Sequence, residues 1–118
     1  MDGIIKILQL EDDENDVEII RRILLKANKA YEIRHVMTKA DFTQALSDFA
    51  PDIVISDNNL PQFEGTEALQ IVRESYPFTP FILVTGAVSE EFAASIIKLG
   101  ADDYLLKDRL TRLPAAVE

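Results

Sequence analysis

The acids Glu11-Asp12-Asp13 follow the largely apolar run Ile4 to Leu10. Asp57 closes a second apolar run, Ile53-Val54-Ile55-Ser56. Thr85 closes a third, Phe81 to Val84, and Lys107 follows Tyr104-Leu105-Leu106. If the ends of these runs converge, several carboxylates meet one hydroxyl and one ammonium. Carboxylates packed that closely raise one another's energy unless something positive sits among them. Carboxylate oxygens, with a backbone carbonyl and water, are the ligands that Mg2+ takes. Lys107 adds a second positive charge, for Asp57 or for a bound anion. Each residue alone has an ordinary explanation: acids between a strand and a helix cap the helix, a strand-end Asp serves a turn, and a Lys is a solvated charge. For Asp13, Glu14 and Asp16 the capping explanation is preferred. The joint placement of the others at the ends of successive runs asks for a fold that brings those ends together.

The intervening segments supply one. Ile4 to Leu10 reads as a buried strand, and from Glu14 to Ala27 the residues Val17, Ile20, Ile23, Leu24 and Ala27 recur at helical spacing. Tyr31 to Val36 reads as a second strand. Thr38 and Asp41 form a weak capping box for a helix through about Phe49, broken by Ala50-Pro51. Ile53 to Ser56 is a third strand, followed by a loop from Asn58 to Gly65 and a helix from Thr66 to Ser75. Phe81 to Thr85 is the fourth strand. Ser89 caps a helix that ends at Leu99-Gly100, Tyr104-Leu105-Leu106 is the fifth strand, and a last helix opens near Pro114. Alternating strands and helices of these lengths predict a parallel sheet covered on both faces, and such sheets bind ligands beyond the carboxyl ends of their strands.

Composition narrows the function further. The chain has 118 residues and no cysteine, which excludes disulfides, thiolate chemistry and cysteine-ligated zinc. Twelve Lys and Arg against 21 Asp and Glu give a net charge of −9, which repels nucleic-acid backbones and anionic membranes. The longest apolar runs are far short of a membrane span, and the amino terminus lacks the features of a secretory signal. The expectation is a cytoplasmic protein with one domain over residues 1–118, its last helix cut short at Glu118.

Four segments, in order, resemble the receiver domain of two-component response regulators. They are Leu8-Gln9-Leu10-Glu11-Asp12-Asp13; Ile53 to Pro61 with Gly65 behind it; Ile82-Leu83-Val84-Thr85-Gly86-Ala87; and Gly100-Ala101-Asp102-Asp103-Tyr104-Leu105-Leu106-Lys107. The resemblance implies a flavodoxin-like, doubly wound (βα)5 fold with strand order 2-1-3-4-5. It implies Asp57 as phosphoacceptor, taking a phosphoryl group from the phosphohistidine of a sensor histidine kinase or histidine phosphotransfer protein. Glu11, Asp12, Asp57 and the backbone carbonyl of Asn59 would hold Mg2+ or Mn2+. Lys107, the Thr85 hydroxyl and the Ala87 N–H would contact the phosphoryl oxygens. Thr85 and Tyr104 would act as the switch, remodelling the face of the fourth helix, fifth strand and fifth helix, where a homodimer could form. Such a domain is a signalling switch that catalyses its own phosphorylation and dephosphorylation, not a turnover enzyme.

Two departures stand out. Asp108 follows Lys107 where the family carries a proline in a cis peptide, and Glu11 replaces the usual first Asp. A haloacid-dehalogenase-like phosphotransferase also uses a strand-end Asp, but it needs a second Asp two residues on, where this chain has Asn59. A phosphate-independent pseudo-receiver would lack one of the acids, the acceptor or the Lys, and all are present. His35, the only histidine, is read as a strand-face or edge residue apart from the acidic cluster. Tyr31, Phe42, Phe49, Phe63 and Phe81 are read as packing.

Overall fold

In a computed structural model of the chain, residues 4–11, 13–26, 31–57, 65–85 and 90–106 are described, with 65, 85, 90–93 and 103–106 described through their backbone. Strands and helices alternate as β1 (Ile5–Leu10), α1 (Glu14–Leu25), β2 (Tyr31–Val36), α2 (Lys39–Asp48), β3 (Ile53–Asp57), α3 (Gly65–Ser75), β4 (Phe81–Thr85), α4 (Glu90–Lys98) and β5 (Asp103–Leu106). The five strands form one parallel sheet in the order β2-β1-β3-β4-β5. This is the expected order. The helix expected near Pro114 and the Lys107–Asp108 peptide lie outside the described residues.

Side-chain alternation along the strands divides the core between the two faces. Leu8, Leu10, Val54, Phe81 and Leu83 pack with Phe42 and Leu46 of α2, Leu69 and Val72 of α3, and Ile96 of α4. Ile7, Ile53, Ile55, Ile82 and Val84 pack with Ile20 and Leu24 of α1. β3 is buried at all five of its positions, as a central parallel strand covered on both faces must be. Truncating a fully buried aromatic such as Phe42 or Phe81 would cost about 3–5 kcal/mol.

Local signals set the helix ends. Asp13 is the N-cap of α1, its carboxylate accepting the Asn15 N–H at 2.8 Å. Thr38 caps α2 by accepting the Asp41 N–H at 3.1 Å. Ala50, at φ 50°, turns the chain out of α2 just before Pro51. Gly100, at φ 112°, ends the α4 turn in a region that side chains rarely adopt.

The order β2-β1-β3 reverses the direction of winding at β1, so the connections leaving the carboxyl ends of β1 and β3 pass to opposite faces of the sheet, toward α1 and α3. The crevice between those connections is the topological switch point of the sheet.

Candidate functional site

Register fixes what stands at the switch point. The last Cα pair between β1 and β3 is Leu10 with Ser56, and the next residues along each strand are Glu11 and Asp57. Both are buried, at 1% and 4% exposure. Asp57 shares a face of β3 with Ile53 and Ile55 of the α1-side core, so apolar layers lie beneath it. Burying carboxylates is costly unless their lone pairs are satisfied. Here one oxygen of Glu11, Oε2, accepts the Asp13 N–H at 3.2 Å. The Ser56 hydroxyl donates to the Asp57 carbonyl at 2.8 Å, fixing the backbone at the strand's end.

The other strands reach the same rim. Asp57 pairs with Val84, Thr85 is the next residue of β4, and Thr85 pairs with Leu106 of β5. The backbone therefore brings the ends of β1, β3, β4 and β5 to one edge, as the run-end residues suggested. Glu11 and Asp57, both buried, stand at that edge on neighbouring strands, and Thr85 is at that edge by its backbone. Tyr104 lies two residues back on β5, paired with Leu83. Asp12, Asn59, Ala87 and Lys107 lie outside the described residues. Among the described residues, no group of three or more His, Cys, Asp or Glu forms a metal cluster. Glu11 and Asp57 nonetheless each supply hard carboxylate oxygens at that edge, and Mg2+ is commonly held by one or two carboxylates with phosphoryl oxygens and water completing its shell. The residues present fit that ion.

His35 lies on β2, an edge strand, as read from the sequence, but not apart from the acids. His35, expected apart from the acidic cluster, has its Nε2 2.5 Å from the backbone carbonyl oxygen of Glu11. The reason is register: His35 pairs with Gln9 across β1 and β2, so its ring reaches the residue two positions further on. The signal was available only to a reader who had already aligned the two strands.

The family model described as response regulator receiver domain matches residues 7–118. The chain belongs to that family. This receiver domain is 30% identical over 109 residues to the regulatory protein AtoC of Escherichia coli, covering 91% of this chain and 23% of that protein. It is 32% identical over 103 residues to the transcriptional regulatory protein GltR of Pseudomonas aeruginosa, covering 86% of this chain and 42% of that protein. The receiver domain thus spans less than half of either relative. Its fold matches a solved response regulator receiver domain protein from Clostridium thermocellum with a TM-score of 0.84, at 23% identity, over 97% of this chain and 91% of that one. Among the described residues, no helix is long and apolar enough to cross a membrane.

Proposed function

We propose that this receiver domain accepts a phosphoryl group on Asp57 from the phosphohistidine of a histidine kinase or histidine phosphotransfer protein. The observation that carries the reading is a buried Asp57 beside a buried Glu11 at the switch point of a receiver fold. A carboxylate oxygen of Asp57 forms the new O–P bond as the P–N bond to the donor imidazole breaks, and that electron pair returns to the imidazole nitrogen. Glu11, Asp12, Asp57 and the Asn59 carbonyl would hold Mg2+, which when bound neutralises charge on the phosphoryl oxygens. Lys107 pairs with one phosphoryl oxygen, while the Thr85 hydroxyl and the Ala87 N–H donate to the others. The apolar layers below Asp57 keep water from its inner side and hold the carboxylate at the strand end, aimed at the incoming phosphorus.

Thr85, drawn to the phosphoryl group, would free space for Tyr104 to turn inward and remodel the surface around α4 and β5. Ile97 on α4 is 45% exposed, giving that surface an apolar element on which a second copy or an output partner could dock. Activity as a switch without external turnover follows from this chemistry, because the acceptor is the protein's own side chain.

The test is incorporation of labelled phosphoryl from acetyl phosphate with Mg2+ into wild-type and Asp57→Asn protein. The expected result is label in the wild type and background in the variant. Label retained at an unchanged rate in Asp57→Asn would overturn the assignment.

A further inference from the structure

His35 is absorbed by neither the core nor the phosphoryl chemistry. It is half-buried on β2, the edge strand. Its Nε2 lies 2.5 Å from the Glu11 carbonyl oxygen. A carbonyl oxygen only accepts, so Nε2 must carry the proton that is shared. The Glu11 N–H donates in turn to the Val36 carbonyl at 3.1 Å. Glu11 is therefore held by β2 at both of its backbone polar groups, once by strand backbone and once by a side chain.

This hold falls where the sheet gives out. The β1–β2 register ends at the pair Leu10 and Val36, and Glu11 is the first residue beyond the strand. Its N–H still finds a ladder partner, but its C=O is taken by the imidazole. The imidazole thus takes the place of a ladder donor at the carbonyl of Glu11. On the other side, the Asp13 N–H returns to Glu11 Oε2 at 3.2 Å, and Asp13 caps α1. Glu11 is thus tied to His35 through its carbonyl and to Asp13, the α1 cap, through its carboxylate.

We propose that His35 is a positioning residue for the cation site: its Nε2–H holds the Glu11 carbonyl and so keeps Glu11 at the end of β1, beside Asp57. The inference rests on the Mg2+ reading given under Proposed function. An imidazole suits the task because it is rigid and places a single directed donor at the end of its reach. Groups that orient ligands in this way commonly alter metal affinity by about 10–100-fold when removed.

The experiment measures the Mg2+ dissociation constant by titration calorimetry for wild type, His35→Phe and His35→Gln, with the denaturation midpoint of each taken without metal. Phe keeps a ring and loses the donor; Gln places an amide N–H at similar reach. The expected result is affinity weakened about tenfold or more in His35→Phe and substantially restored in His35→Gln, with both metal-free midpoints close to wild type. Wild-type affinity in His35→Phe, or equal weakening in both variants, would overturn the positioning role. A wild-type chain with no Mg2+ affinity would overturn the cation reading itself, and this inference with it. A second readout needs no variant. His35 is the only histidine, so its ring nitrogen resonances are unambiguous. They should report an Nε2–H tautomer and shift with the same midpoint as Mg2+ binding; a Nδ1–H tautomer, or resonances indifferent to Mg2+, would refute the proposal.

Discussion

At the amino-terminal ends of the strands, the carboxylate of Asp52 accepts the Lys6 N–H at 2.8 Å and that of Asp102 accepts the Phe81 N–H at 2.8 Å; at the carboxyl-terminal ends stand Glu11 and Asp57. The first two acids are exposed, and the second two are buried at 1% and 4%. The exposed acids tie a strand start to its neighbour at little desolvation cost. The amino-terminal end also holds a cation with three fixed acceptors. Arg73 donates from Nε to the Gly100 carbonyl at 2.9 Å, from one terminal nitrogen to the Thr79 carbonyl at 2.7 Å, and from the other to Asp102 at 2.9 Å. That fork joins α3 to the loops entering β4 and β5. A carboxylate buried at the other end carries a penalty that the same fold could avoid with an apolar residue. Charges that only hold a fold together sit where water helps them; charges kept in spite of desolvation mark where a ligand is expected.

The largest effect that could break this contrast is at Asp57. Asp57→Asn should reduce phosphoryl label to background while leaving the denaturant midpoint unchanged or raised, because an amide costs less to bury than a carboxylate. A variant destabilised by more than about 2 kcal/mol would make Asp57 a structural residue as well. The reciprocal result is expected at the opposite end. Arg73→Met removes donors from acceptors in two loops and should cost about 3 kcal/mol, since hydrogen bonds to charged groups contribute roughly 1.5–3 kcal/mol and are not additive. Urea unfolding measures it. Labelling of the folded fraction should persist, and its loss would show that the two ends are coupled.

The same contrast explains what could be read from the sequence. The strands were legible because apolar runs such as Ile53–Ile55 and Phe81–Val84 are what a doubly covered parallel sheet requires. Asp13, Thr38 and Gly100 were legible because capping acts over two to four residues, within reach of a local pattern. Glu11 and Asp57 were legible as strand-end acids, and register then placed them side by side. The His35 contact to Glu11 was not, because it depends on which residue of β2 faces Gln9. Nor was the Arg73 fork, whose acceptors lie 6, 27 and 29 residues away along the chain. A lone Arg on an amphipathic helix reads as solvated surface until the loops it bridges are in place.

A smaller effect tests how closely the amino-terminal end is built. Gly100 has φ 112°, and a Cβ there would lie 3.0 Å from Arg73 Nε. Gly100→Ala should cost about 1–3 kcal/mol, the usual range for a side chain in a sparsely populated backbone region. Part of that cost comes from displacing the guanidinium. The same substitution made in an Arg73→Met background should therefore cost less, and a double-mutant cycle in urea would show the difference. Equal costs in both backgrounds would mean that backbone conformation alone sets the penalty.

The smallest effect belongs to the ion pair that most resembles a stabilising feature. Lys39 Nζ and Glu67 Oε2 are 2.6 Å apart, bridging the first turns of α2 and α3, with side-chain exposures of 57% and 42%. Its length is shorter than either Arg73 bond to a carbonyl, yet water solvates both partners and ordering two long side chains offsets the attraction. Exposed pairs of this kind typically contribute about 0.2–1 kcal/mol. Lys39→Met should therefore shift stability by no more than about 0.5 kcal/mol, less still in 1 M salt, where the Debye length falls to about 3 Å. A loss approaching that of Arg73→Met would mean that distance, not burial and the number of fixed acceptors, ranks the ion pairs of this domain. The expected difference of about 2.5 kcal/mol between the two variants, roughly 70-fold in equilibrium constant, is what separates a charge that joins loops from one that rests on the surface.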